Sequence, residues 1–142
     1  MNNSKLLLVE DNEGDIILTL EAFKEAKIIN SIDVVTDGEL ALMYLAKEGK
    51  YIDVETPDII LLDINLPKID GLEVLKSIKN DPKLSLIPVI ILTTSDDDKD
   101  ILKSYQAHAN CYITKPVSYN SFIDVIKTLN DFWIKIVKLP NV

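Results

Sequence analysis

The sequence predicts an α/β fold, an open doubly wound sheet of five parallel strands with five helices. Short apolar runs alternate with amphipathic stretches along the chain. The first, third and fourth runs are apolar throughout rather than alternating, which means strands covered on both faces. The lengths of the intervening stretches suit helical, right-handed crossovers between parallel strands.

Residues 5–9 form the first strand, since Lys5 is followed by four apolar residues, Leu6 to Val9. A helix follows over about residues 14–27, with Ile16, Ile17, Leu20 and Phe23 as its apolar stripe. Residues 31–36 are the second strand. Asp37 and Gly38 open the second helix, which carries Leu40, Ala41 and Leu45 inward and ends near Gly49 as a C-cap. The third strand spans residues 57–63, and residues 65–71 are a loop. Leu72, Leu75 and Ile78 mark the third helix, which stops before Asp81 and Pro82. The fourth strand spans residues 88–93. A polar loop over residues 95–98 leads into a short helix to about Ala107. Its Asp96, Asp97 and Asp98 read as a solvated cap, favourable at a helix N-terminus. Residues 110–114 are the fifth strand, and the last helix runs from 118 to about 137.

The 142 residues fit one domain, 1–142, with a short C-terminal extension from about 138. A hydrophobic content of 47% argues against disorder. The formal charge of −8 and the absence of arginine argue against a nucleic-acid surface, which needs clustered cations. No apolar run approaches the roughly 18 residues of a membrane span, so no membrane partner is expected. A single cysteine, Cys111, excludes a disulfide framework and points to a reducing compartment, the cytoplasm.

In open α/β sheets, ligands bind beyond the carboxyl ends of the strands. There the chain places Glu10 and Asp11 after the first strand and Asp63 after the third. Thr93, Thr94 and Ser95 follow the fourth strand, and Lys115 and Pro116 the fifth. In the flavodoxin-like order 2-1-3-4-5 the first and third strands are neighbours. Carboxylates about 5 Å apart repel by roughly 3 kcal/mol per pair at an effective dielectric near 20. Such a cluster calls for a cation, and hard oxygen ligands with room for water suit Mg²⁺. Lys115 adds one more positive charge, so the rim looks built for a divalent metal and then a phosphoryl group.

The pattern resembles the receiver domain of two-component response regulators. Glu10-Asp11, Asp63 with Asn65 and Pro67, Thr93, and Lys115-Pro116 all fall at that family's positions, and Tyr112 stands at its aromatic switch position. The likeness runs from about Ser4 to Lys138. Within the family, the sequence is most similar to the stand-alone regulators of cyanobacterial phytochrome-type histidine kinases. The pairs Tyr44-Leu45, Pro67-Lys68, Ser104-Tyr105 and Phe132-Trp133 carry that finer resemblance.

The resemblance implies that Asp63 is the phosphoacceptor for a sensor histidine kinase, with Mg²⁺ as the cofactor, and its finer part implies a phytochrome-like kinase. Asp11 would be the main metal ligand and Glu10 would act mostly through water, with Asp63 and the Asn65 backbone carbonyl completing the set. Lys115 would pair with Asp63 and then with a phosphoryl oxygen. Thr93 would hydrogen-bond the phosphoryl group and make room for Tyr112 to rotate inward. The Lys115–Pro116 peptide would be cis. Such a protein is a signalling phosphoacceptor rather than an enzyme, although it promotes its own phosphotransfer and dephosphorylation. Its output would be contact with an effector or relay to a histidine phosphotransfer protein.

The last helix is apolar almost all round, which leaves a stripe with Val125 and Phe132 beyond the sheet-facing side. In the family, the face of helix 4, strand 5 and helix 5 often dimerises, so a homodimer is expected there, unless the tail at Leu139 and Pro140 covers it. His108, the only histidine, and Cys111 read as surface or packing residues. A flavin carrier of the same architecture needs a neutral phosphate loop after the first strand, where this chain has four acidic residues, Glu10, Asp11, Glu13 and Asp15. A dehalogenase-like phosphatase needs a second Asp where Asn65 stands.

Overall fold

The computed structural model describes residues 5–25 and 31–132. The strands β1 (Lys5–Val9), β2 (Ser31–Val35), β3 (Ile59–Leu62), β4 (Val89–Thr93) and β5 (Cys111–Thr114) form one parallel sheet in the order β2-β1-β3-β4-β5. The helices α1 (Glu13–Glu25), α2 (Gly38–Leu45), α3 (Gly71–Asn80), α4 (Asp98–Gln106) and α5 (Tyr119–Leu129) alternate with them, and a 3-10 turn spans Gly49–Tyr51. The expected extension of the last helix to 137, the tail beyond it, and the end of the first helix at 27 lie outside the described residues.

Alternation along each strand splits the core into two layers. Leu7, Val9, Ile60, Leu62, Val89 and Ile91 face α2 and α3, meeting Ala41, Tyr44, Val74, Leu75 and Ile78. Leu6, Leu8, Ile59, Leu61, Ile90 and Leu92 face the other way, onto Ala22 and Phe23 of α1 and Phe122, Ile123, Ile126 and Leu129 of α5. The central strands are therefore buried on both sides, as their continuous apolar runs require.

Two helix details differ from expectation. Helix α2 ends at Leu45, and Lys47 rather than Gly49 takes the left-handed position after it, with φ 56°. The Lys47 N–H donates to Tyr44 O and the Glu48 N–H to Met43 O, the paired bonds that close a helix C-terminus. Leu45 is the last side chain of this helix with core to bury, so the helix stops there and Gly49 opens the 3-10 turn. Helix α1 buries Thr19, Ala22 and Phe23, whereas Ile17 and Leu20 are exposed. The face turned to the sheet carries Leu18, Ala22 and Phe23, with buried Thr19 beside them, and Asp15 lies one turn before Thr19 on the same side. Small Thr19 and Ala22 then let the helix lie close to the sheet.

His108 closes α4 in the same left-handed position, φ 71°, with its N–H on Tyr105 O and the Ala109 N–H on Ser104 O. It is exposed and plays the local role its isolation implied.

The start of α3 presses directly on the end of β3. The Gly71 N–H donates to Ile64 O at 2.9 Å. A Cβ at Gly71 would lie 2.2 Å from the Asp63 carbonyl oxygen and 2.7 Å from Ile64 Cα, both backbone atoms that cannot swing aside. Gly71→Ala should therefore destabilise the fold by about 1–3 kcal/mol, the usual range for overpacking. Thermal unfolding checks this as a midpoint lowered by several degrees; an unchanged midpoint would contradict it.

Candidate functional site: an acidic pocket at the C-terminal rim of the sheet

Each central side chain of the site is the first residue past a strand. The parallel ladder runs one hydrogen bond further and places it. The Glu10 N–H donates to Val35 O at 3.1 Å, Asp63 N–H to Val9 O at 3.0 Å, and Lys115 N–H to Thr93 O at 2.6 Å. Backbone bonds thus fix where three charged side chains start, before any of them touch.

The side chains converge. Ligand atoms of Glu10, Asp11 and Asp63 all lie within 4.8 Å of one another. The Lys115 ammonium, whose side chain is only 6% exposed, donates to Glu10 Oε1, to Asp15 Oδ2 at 3.0 Å and to Asp63 Oδ2 at 3.5 Å. Burying an ammonium costs several kcal/mol unless it is paired and hydrogen-bonded; here each of its three N–H groups has a carboxylate. The second oxygen of Glu10 accepts the Asn12 N–H at 3.2 Å, and Asp63 Oδ1 accepts the Asn65 N–H at 3.1 Å. Glu10 and Asp63 are buried and Asp11 is exposed at the mouth.

One ammonium does not balance this set. Burial pushes the Glu10 carboxyl up to about 7 from 4.5, the Asp63 charge pushes the same way, and the Lys115 hydrogen bond only partly pulls it back. Burial draws the Lys115 ammonium down, but the Glu10 and Asp15 hydrogen bonds outweigh it and hold its pKa above the usual value. The unbalanced charge, the cluster of oxygen donors and the open side at Asp11 fit a hard divalent ion.

Thr93 is fully buried, and its Oγ1 accepts the Ser95 N–H at 3.4 Å. The Tyr112 hydroxyl donates to Ser95 O at 2.8 Å, and the Tyr112 N–H donates to the Tyr105 hydroxyl at 3.2 Å. Burial first, and then the Asp100, Asp63 and Asp96 charges, raise the Tyr112 phenol pKa against the opposing Ser95 bond. Thus β5 is tied to the β4–α4 loop, and Ser95 Oγ bonds Asp100 Oδ2 at 2.6 Å to tie that loop to α4.

The structure brings Glu10, Asp11, Asp63 and Lys115 into one pocket and sets Asn65 beside Asp63. The cis Lys115–Pro116 bond is corrected: no peptide among the described residues is cis. The Lys115 N–H bond to Thr93 aims the side chain at the carboxylates with Pro116 in the trans form, which is favoured by about 0.5–1 kcal/mol. Sequence reasoning missed Asp15. At the third position of a helix, an acid reads as a partner for the helix dipole, and nothing local shows that it reaches Lys115.

Fold and pocket together define a class. The chain belongs to the response regulator receiver domain family, whose model matches residues 6–127. It is 41% identical to the response regulator Rcp1 of Synechocystis sp. over 135 residues, which is 95% of this chain and 92% of that protein. The crystal structure of the phosphorylated cyanobacterial phytochrome response regulator RcpA matches with a TM-score of 0.94 at 45% identity, covering 98% of this chain and 99% of the other. The Mn²⁺-bound form of Rcp1 matches with a TM-score of 0.91 at 40% identity, covering 97% and 99%. The protein is thus a two-component signalling receiver with a divalent-metal-binding acidic cluster. No helix among the described residues is long and apolar enough to cross a membrane.

An ion held by Glu10 would need that carboxyl ionised, whereas the fold alone favours its acid form below about 7. The folded state then holds a proton that the unfolded chain releases above 4.5. Without metal, stability should fall as pH rises from about 4.5 to 7 and level off above that. Mg²⁺ affinity should move the opposite way, strengthening by up to about tenfold per pH unit below 7. Calorimetry in two buffers of different ionisation enthalpy reads the released proton directly. An affinity flat from pH 6 to 8 would contradict the assignment.

Proposed function

We propose that Asp63 accepts a phosphoryl group from the phosphohistidine of a sensor histidine kinase, with Mg²⁺ held by Glu10, Asp11, Asp63 and the Asn65 carbonyl. The observation that carries this reading is a buried carboxylate with an ammonium 3.5 Å away and two further carboxylates within 4.8 Å. An Asp63 oxygen attacks phosphorus, the bond from phosphorus to the histidine nitrogen breaks, and the imidazole leaves with its electron pair. The protein's part is positioning and charge neutralisation. Lys115 takes a phosphoryl oxygen as the Asp63 carboxylate becomes a mixed anhydride. The same arrangement later serves attack by water, which returns Asp63 and inorganic phosphate.

Thr93 is the hydroxyl that meets the phosphoryl group, and Tyr112 is the group that reports it. The bond from Tyr112 to the Ser95 carbonyl supports this reading, since Ser95 lies two residues past Thr93. Phosphate shifts the balance only as far as it binds one arrangement better than the other. The kinase is phytochrome-like by likeness to Rcp1 and RcpA, and the site of action is the cytoplasm. The signal leaves by protein contact, with an effector or with a histidine phosphotransfer protein that takes the phosphoryl group onward.

The surface for self-association is the face of α4, β5 and α5. Leu102 and Tyr105 of α4 are 58% and 49% exposed, and Phe132 beyond α5 is 50% exposed. Leu102 and Tyr105, three residues apart on α4, support a homodimer there, whereas Val125 packs against the core instead of joining an outer stripe. Trp133, Ile134, Ile136, Val137 and the tail at Leu139 and Pro140 lie outside the described residues.

Acetyl phosphate should label the protein in the presence of Mg²⁺, and Asp63→Asn or removal of Mg²⁺ by chelation should abolish the label. Labelling that survives Asp63→Asn would move the acceptor elsewhere. Light scattering across a concentration series should give twice the monomer mass, and Leu102→Glu should return it to the monomer value. A monomer at every concentration, with and without a phosphoryl mimic, would sink the dimer.

A further inference from the structure

The Lys115 ammonium spends its three N–H groups on Glu10, Asp15 and Asp63. Two of these partners, Glu10 and Asp63, also belong to the acidic trio that faces the ion; Asp15 does not. A divalent ion therefore competes with Lys115 for two of its three partners. From this geometry we infer that Asp15 is a positioning residue for Lys115, the one carboxylate that keeps the ammonium at the rim when a metal ion draws Glu10 and Asp63 toward itself. The inference rests on the reading of Glu10, Asp11 and Asp63 as the ion's ligands.

Asp15 is set up for this role by its own helix. Its N–H is held by Asn12 Oδ1 at 2.9 Å, which fixes the first turn of α1. Its carbonyl accepts the buried Thr19 hydroxyl at 2.7 Å. Thr19 and Ala22, on the same face, are packed against the sheet, so the helix cannot turn Asp15 away without unpacking them. The Asp15 side chain is 31% exposed against 3% for Glu10. It stands on the outer side of the ammonium, where a charge keeps its hydration and costs little to hold. Glu10 is the inner partner and Asp15 the outer one. A phosphoryl oxygen arriving on Asp63 takes the third N–H while Asp15 still holds the ammonium.

A role through Lys115 differs from a plain charge effect, and a double-mutant cycle separates the two. The readout is Mg²⁺ titration followed by backbone amide NMR shifts, with no phosphodonor present. Asp15→Asn should weaken Mg²⁺ binding about fivefold in the parent chain, within the range of measured side-chain couplings. In the Lys115→Met background the same substitution should cost less than about twofold, because no ammonium is left to place. Asp15→Glu, which keeps the charge on a longer arm, should recover part of the loss. Metal-free thermal midpoints confirm that each variant folds. Equal losses in both backgrounds would show that Asp15 acts on the ion directly, and no loss in the parent would show that Lys115 needs no third partner; either overturns the inference. A parent chain that binds no Mg²⁺ overturns the metal reading and this inference together, whereas a parent that binds without coupling overturns the inference alone.

Discussion

A buried ammonium among carboxylates governs this protein. Lys115 is nearly inaccessible to water, and Glu10, Asp15 and Asp63 each take one of its hydrogen bonds. A parallel sheet makes that meeting unavoidable, because all its strands end on the same rim. With Asp11 added, carboxylates outnumber the ammonium four to one at the rim. The pocket remains unbalanced, and the raised Glu10 pKa is the cost showing on its most buried member. A hard divalent ion among Glu10, Asp11 and Asp63 would offset part of that negative charge.

Precision in the pocket comes from the backbone. Glu10, Asp63 and Lys115 are each hydrogen-bonded to the end of a neighbouring strand, so their Cα positions are part of the sheet. Gly71 then lets α3 seat itself against the Asp63 carbonyl, and Gly38 does the same for α2 against the loop at Ile69. Groups aimed from a rigid frame need little reorganisation to meet a charged ligand.

The strands were legible because burial on both faces leaves an unbroken apolar run. The central site residues were legible because they stand one step past those runs. What could not be read depends on contacts between distant segments. Asp15 looks like any acid in a first helical turn until the sheet brings Lys115 beside it. Ile17 and Leu20 match a helical stripe as well as Leu18 and Ala22 do, and which stripe meets the sheet is decided by contacts with distant strands. Lys47 closing α2 in place of Gly49 reflects where core contact ends, a tertiary fact. The cis expectation for Pro116 came from family likeness alone, with nothing local in its favour.

The elements around the pocket are not held equally firmly. The core layers hold β1, β3 and β4 through fully buried side chains, whereas α4 buries only Ser104. Helix α4 is held instead by polar links: Tyr105 to the Tyr112 N–H, Ser95 to Asp100, and Tyr112 to the Ser95 carbonyl that precedes it. Each such bond nets about 1 kcal/mol, so exchanging one set for another costs little beside disturbing the core. A change at Thr93 reaches this network within two residues, through the Ser95 N–H on its hydroxyl. Thr93 is therefore joined by a short chain of polar bonds to the surface of α4 and β5. Exposed Leu102 and Tyr105 place apolar contact area on the same helix.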